Sequence, residues 1–238
     1  MADDRIITAL DVSTMDDVEY YVRTLGDSIS FYKVGMELFY RVGPDAVRYL
    51  KDQGKHVFLD LKLHDIPNTV AQSVRALTRL GVDFLTIHGT GGRAMMEAAA
   101  EAARDEGARL SIERPRLLAV TILTSVDETA WQEIGGKYTI AETVKNLAKM
   151  AKEAGIDGTV SSPYEAREIR QMNGSDFLIV TPGIRPFFAV ANDQKRFTTP
   201  SEALSDGASH LVIGRPITKA DDPKEAVHKI LTEIQGVH

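Results

Sequence analysis

The residues whose types and spacing could do chemistry together lie in Phe58-Leu-Asp-Leu-Lys-Leu-His-Asp-Ile-Pro-Asn-Thr69. Side chains alternate faces along a strand, so a strand here puts Asp60 and Lys62 on one face and Leu59, Leu61 and Leu63 on the other. The leucines need a core, and the two charges lie about 7 Å apart by the rise per residue. Asp65 follows where the segment runs into Pro67. The plainer alternative is an amphipathic strand with a solvated outer face, followed by an acidic cap on a helix with Pro in its first turn. Lys33 sits in the otherwise apolar Phe31-Tyr-Lys-Val-Gly-Met36, where an unpaired ammonium would be costly, so it needs a carboxylate or a ligand. With Asp60, Lys62 and Asp65 it forms a set of alternating sign in which opposite charges favour each other's ionised forms. A protonated lysine in a pocket is a general acid.

A second constellation lies between Pro182 and Arg215. The connection from Gly183 to Thr199 holds Arg185, Asn192, Gln194, Lys195 and Arg196 and is much longer than a usual strand-to-helix loop. Beyond it, Ile213-Gly-Arg-Pro-Ile-Thr218 places Gly214 and Arg215 where barrels build phosphate sites from the loops after strands seven and eight. Asp11 ends an apolar stretch just before Ser13-Thr14, as either a hydroxyl-binding carboxylate or a loop cap. Gly89-Thr-Gly-Gly92 is explained equally well as an anion cradle or a flexible turn. His64 and His88 lack metal-ligand spacing, and no dinucleotide fingerprint, P-loop or His-Glu-x-x-His occurs, so neither metal nor cofactor is expected.

The elements that must position these residues read as eight apolar strands. They are Ile6–Val12, Phe31–Met36, the organising stretch from Phe58, Phe84–His88, Arg116–Leu123, Gly158–Ser162, Phe177–Thr181 and His210–Gly214. Helical patterns run between them and stop at or near Gly26, Gly54, Gly81 and Gly155. With no tight hairpin turn, right-handed crossovers imply parallel pairing and a closed (β/α)₈ barrel, one domain over residues 1–238. In such a barrel the chemistry sits at the C-terminal ends of strands. Asp11, Lys33, Asp60, Lys62, Thr121, Thr124 and Arg215 all fall there, which a merely solvated face would not arrange.

Composition narrows the function further. At 43% hydrophobic the chain can bury a large core, and its net charge of −6 without any Lys/Arg-rich run argues against nucleic acid as partner. Cysteine is absent, which removes disulfides, thiolate nucleophiles and cysteine zinc sites. No apolar run reaches membrane-spanning length, and an acidic start leads directly into a strand, so a soluble, untargeted, cytoplasmic protein is expected.

Asp60-Leu-Lys-Leu-His-Asp-Ile-Pro-Asn-Thr69 resembles the Asp-x-Lys-x-x-Asp-Ile-Pro-x-Thr signature of the orotidine 5′-phosphate decarboxylase family. The resemblance runs along essentially the whole chain, through Ala9-Leu-Asp11, Lys33-Val-Gly-Met-Glu37, Thr124, Val180-Thr-Pro-Gly-Ile184, Asn192-Asp-Gln194 and Val212-Ile-Gly-Arg-Pro-Ile-Thr-Lys-Ala220. It implies a cofactor-free, metal-free decarboxylation of a pyrimidine nucleotide, with Lys62 as proton donor beside Asp60, Asp65 and Lys33. It further implies that Asp11 and Lys33 hold ribose hydroxyls, Thr124 meets the pyrimidine, and Gln194, Gly214 and Arg215 bind phosphate, with Pro182 and Arg185 as further substrate contacts. Asp65 and Thr69 would enter the neighbouring subunit's site in a homodimer. Pro216, where the family pattern suggests Ser, is a mild departure. A sibling barrel decarboxylates keto-sugar phosphates with magnesium held by the acidic residues. Here two lysines interleave the carboxylates and Ile-Pro-x-Thr follows, which favours the nucleotide enzyme over that sibling. A non-catalytic sensor of sugar phosphates is the rival from another class, and it leaves the charged array without a purpose.

Overall fold

The computed structural model describes residues 2–189 and 198–237. Eight strands, β1 (Ile6–Leu10), β2 (Phe31–Gly35), β3 (His56–Leu63), β4 (Phe84–His88), β5 (Arg116–Val120), β6 (Gly158–Val160), β7 (Leu178–Thr181) and β8 (His210–Ile213), pair in sequence order. Every pair is parallel, and Ile6 opposite Leu211 closes the ring between β1 and β8. The expected (β/α)₈ barrel is thus observed.

Alternation along the strands divides two cores. Ile7, Ala9, Phe31, Phe58, Phe84, Leu118, Val180 and Val212 pack together inside the barrel. Their neighbours, such as Ile6, Tyr32, Val57, Leu59, Leu85 and Leu117, face outward against the helices. Phe58 therefore fixes Asp60, two residues on, toward the barrel axis.

The helices begin where capping chemistry puts them. Thr14 accepts the Asp17 N–H at the start of Met15–Leu25, and reciprocal Thr/Glu caps open Ile140–Glu153 and Pro200–Ser205. The helix Pro67–Thr78 starts without a side-chain cap, so Asp65 does not take that role. Five strands are shorter than their apolar runs at the C-terminal end, β1 stopping at Leu10 and β2 at Gly35. Thr121 follows β5 with both its N–H and its hydroxyl donating to the Val160 carbonyl, β6 stops at Val160, and β8 stops before Gly214. Two short helices, Met36–Val42 and Glu128–Glu133, occupy stretches that the apolar pattern leaves as connections.

At the N-terminal mouth, side chains replace missing ladder partners. Asp83 accepts the Val57 N–H at 2.7 Å and pairs with Lys51 at 2.8 Å, while Asp157 accepts the Leu117 N–H and a two-pronged contact from Arg114. The mouth opens on a cavity of about 790 Å³ floored by Phe31, Phe84 and His210. It lies at the wrong end for barrel chemistry, and Lys51, Asp83 and Arg114 there are already engaged.

Burial pushes the His210 imidazole down to about 4, against the opposing pull of Asp4 and Asp3. The folded state therefore favours the neutral ring: its contribution is complete above the unfolded value near 6.5 and is lost as pH falls toward 4. We expect His210→Phe, which keeps an aromatic ring against Phe31 and Phe84, to remove on the order of 2–3 kcal/mol of the wild-type stability loss between pH 6.5 and 4. Urea unfolding midpoints at several pH values check this, and parallel curves for the two proteins would refute it.

Candidate functional site

The site is assembled at the C-terminal ends of the strands around Asp60. The Asp60 side chain is 11% exposed, and a carboxylate so withdrawn from water requires donors. Lys62 Nζ supplies two contacts, at 2.8 Å to each oxygen. The Thr86 hydroxyl donates to Oδ1 at 3.0 Å, and Lys33 Nζ lies 3.8 Å from Oδ2. Lys33 in turn donates to Asp11 Oδ1 at 3.2 Å, so the array runs Asp11, Lys33, Asp60, Lys62 with alternating sign. Asp11 is 57% exposed and stands at the open end.

Regular strand geometry does not produce this arrangement. Leu59 pairs with Leu85 but Leu63 pairs with Ile87, so four residue steps on β3 span two on β4. Within that bulge Lys62 adopts φ +52°, a left-handed conformation costing a non-glycine residue about 1–2 kcal/mol. Its N–H, removed from the ladder, donates to Thr86 Oγ1 at 2.8 Å. One hydroxyl thus holds both the bent backbone and the buried carboxylate. The bend corrects the expected spacing of about 7 Å, because it folds the Lys62 side chain back onto Asp60. Thr86 is the functional residue that sequence reasoning missed. Its signal was a polar side chain sharing the inward face of β4 with Phe84.

Two glycines make room for the charges. A Cβ on Gly35 would stand 2.9 Å from Lys33 Nζ, and one on Gly214 would stand 3.2 Å from Asp11 Oδ2. Gly214 therefore shapes the site through Asp11, on the observed contacts.

A cavity of about 230 Å³ opens beside the array, lined by Lys33, Asp60 and Lys62 and, across the barrel, by Thr124, Ser161 and Pro182. Its volume suits a single substituted ring. A separate cleft of about 270 Å³ lies between Arg185, Ala189, Arg215 and Pro216. Among the described residues neither arginine makes an ion pair, and both guanidinium groups border this cleft. Gln194 lies outside the described residues.

Asp65 does not join the array within this chain. It is exposed, accepts the following Ile66 N–H at 2.7 Å, and makes no ion pair among the described residues. Thr69 is likewise exposed, on the first turn of Pro67–Thr78, away from the cavity. Thr121 is withdrawn into the β5–β6 contact and serves structure. His64 and His88 stack at 5.1 Å behind the lysine; burial, then His64 and Lys62, push His88 down, which suits a neutral packing ring. Among the described residues no three His, Cys, Asp or Glu side chains converge as metal ligands would.

Residues 4–230 match the model of the orotidine 5′-phosphate decarboxylase / HUMPS family. The chain belongs to this family. It is 51% identical over 237 residues to the orotidine 5′-phosphate decarboxylase of Moorella thermoacetica, covering 99% of this chain and 94% of that protein. It is 51% identical over 233 residues to the enzyme of the same name from Trichlorobacter lovleyi, covering 98% and 96%. The crystal structure of orotidine 5′-phosphate decarboxylase from Lactobacillus acidophilus superposes with a TM-score of 0.87 at 42% identity, covering 98% of this chain and all of that one. The closed barrel and the charged array are thus found in a chain related to named decarboxylases along nearly its full length.

Thr86→Val keeps the shape of the side chain but leaves the buried Asp60 one donor short and the Lys62 N–H without its acceptor. We expect a stability loss of about 2–4 kcal/mol, most of it recovered by Thr86→Ser. Urea unfolding of the three proteins decides this, and a valine variant as stable as wild type would show that the hydroxyl is dispensable.

Proposed function

We propose that this protein converts orotidine 5′-phosphate to uridine 5′-phosphate and CO₂ in the cytoplasm, the closing step of pyrimidine nucleotide synthesis, without metal or organic cofactor. The observation that carries the reading is the Lys62 ammonium bonded to both oxygens of a buried Asp60 at the edge of a ring-sized cavity. The base would occupy that cavity beside Thr124 and Pro182, Asp11 and Lys33 would take ribose hydroxyls, and Arg185, Arg215 and Gln194 would hold the phosphate.

In the reaction the bond from C6 to the carboxylate breaks, CO₂ departs, and the electron pair stays on C6. That carbon has no conjugated electron sink, so the fixed ammonium of Lys62 must stabilise the developing charge. Lys62 then gives its proton to C6 and regains one from solvent. Asp60 stands where it would face the substrate carboxylate, and its repulsion is relieved as CO₂ leaves. Binding energy from the phosphate, remote from C6, can hold the charged array against the base.

Asp65 and Thr69 are assigned to the neighbouring site of a homodimer. Support comes from their exposure, from the absence of an ion pair for Asp65 among the described residues, and from Ile66, which is 67% exposed between them. A two-fold interface brings the same patch from both chains together, so each site would receive these residues from its partner.

Two measurements test the proposal. Lys62→Ala should abolish turnover of orotidylate, followed by its ultraviolet absorbance in the presence of a chelator, while uridine 5′-phosphate still binds. Substantial residual turnover would sink the proton-donor role, and loss of wild-type activity to the chelator would sink the metal-free reading. Lys62→Ala and Asp65→Ala chains, each inactive alone, should together regain about a quarter of wild-type activity, because half the reassorted dimers carry one intact site. No recovery after verified subunit exchange would return Asp65 to its own chain.

A further inference from the structure

The connection after β7 carries Arg185 three residues beyond Pro182, which lines the ring-sized cavity. The Arg185 N–H donates to the Thr198 carbonyl at 3.1 Å, which joins the outgoing and returning arms. Pro186 is buried, but the Phe187 ring is 77% exposed and contributes no apolar anchor. What holds the backbone there is a carboxylate from the far end of the chain: the Phe187 N–H donates to Glu233 Oε2 at 3.2 Å. Glu233 ends the helix Pro223–Glu233, one turn beyond Lys229, whose ammonium lies 5.7 Å from the Phe188 ring centre. Two contacts from one helix face thus grip the turn Phe187–Ala189, and Ala189 lines the cleft between Arg185 and Arg215. Burial raises the Glu233 carboxyl, while the N–H groups of Phe187 and of Ser201, in the first turn of the helix Pro200–Ser205, draw it back.

Arg215 needs no such help, because it leaves the barrel directly after β8 through Gly214. Arg185 stands on a loop, and a two-arginine grip works only if the loop holds its distance from Arg215. We propose that Glu233 is a positioning residue for the phosphate end of the substrate, holding the Arg185-bearing arm against Arg215 through the Phe187 N–H. It touches no substrate, and it rests on the reading of the Arg185–Arg215 cleft as the phosphate site.

The role predicts a split that general weakening of the fold would not give. Glu233→Ala should raise the KM for orotidylate and the Kd for uridine 5′-phosphate about tenfold, the worth of one charge-assisted hydrogen bond. Its kcat, and its kcat/KM on the nucleoside orotidine, should stay within roughly twofold of wild type. Glu233→Gln, whose amide oxygen can accept the same N–H, should restore most of the affinity. Phe187→Pro removes the donor instead of the acceptor and should reproduce the Glu233→Ala phenotype, which keeps the test alive if that variant folds poorly. Arg215→Ala serves as the reference for direct loss of a phosphate contact. Unchanged nucleotide affinity in Glu233→Ala, or an equal loss on nucleotide and nucleoside, overturns the proposal. Should Arg215→Ala leave nucleotide affinity intact, the phosphate reading itself falls, an outcome distinct from failure of the Glu233 variants alone.

Discussion

A carboxylate withdrawn from water at the mouth of the barrel is the constraint around which the site is built. Taking Asp60 out of solvent costs several kcal/mol unless its oxygens are satisfied, and each neighbouring feature answers that demand. Lys62 reaches it where β3 bulges, and within the bulge Thr86 accepts the displaced Lys62 N–H. Lys33 approaches Asp60 Oδ2 at longer range and is itself steadied by Asp11. Gly35 and Gly214 lack side chains where any Cβ would crowd Lys33 or Asp11. The ammonium groups of Lys62 and Lys33 are therefore placed by the folding of the chain itself.

The barrel interior makes that placement effective. Beneath the array Phe31, Phe58 and Phe84 pack with ring centres 4.9 and 6.0 Å apart, and Leu118, Val180 and Val212 fill the rest of the axis. A packed apolar floor keeps water from reaching the charges from below, so their fields are screened less than on an open surface. The N-terminal mouth is held by different means, through Asp83 and Asp157 accepting the N–H groups of the second residues of β3 and β5. Stability is thus concentrated at one end of the barrel and reactive charge at the other.

How much of this could be read from the sequence follows from which forces are local. The eight strands were legible because strands buried on both faces read as short apolar runs. Strand ends were overextended at β1, β2, β5, β6 and β8, because hydrophobicity does not show where a ladder loses its partner. The left-handed Lys62 was invisible to a two-residue period, which assumes the regularity that the site breaks. Thr86 lies 26 residues from Asp60, and only the β3–β4 register reveals their contact. Lys33, Asp60, Lys62, Thr124 and Pro182, which fall at corresponding ends of strands, line one cavity. Asp65 was grouped with them by proximity in sequence, yet it turns outward after the bulge.

The division of the site into a ring-sized cavity and an arginine-lined cleft bears on how catalysis could be organised. Lys62 and Asp60 occupy the former, Arg185 and Arg215 the latter, and no described side chain belongs to both. A ligand spanning both would draw its affinity from the cleft and its reactivity from the cavity. Affinity gained at a charged, exposed cleft can then oppose the cost of bringing a carboxylate-bearing ring against Asp60, which binding in the cavity alone could not offset. The barrel supplies the rigid distance between the two, because β3 and β8 belong to one closed ring of hydrogen bonds. Energy released at the arginines can therefore be expressed at Lys62 without any large motion of the strands between them.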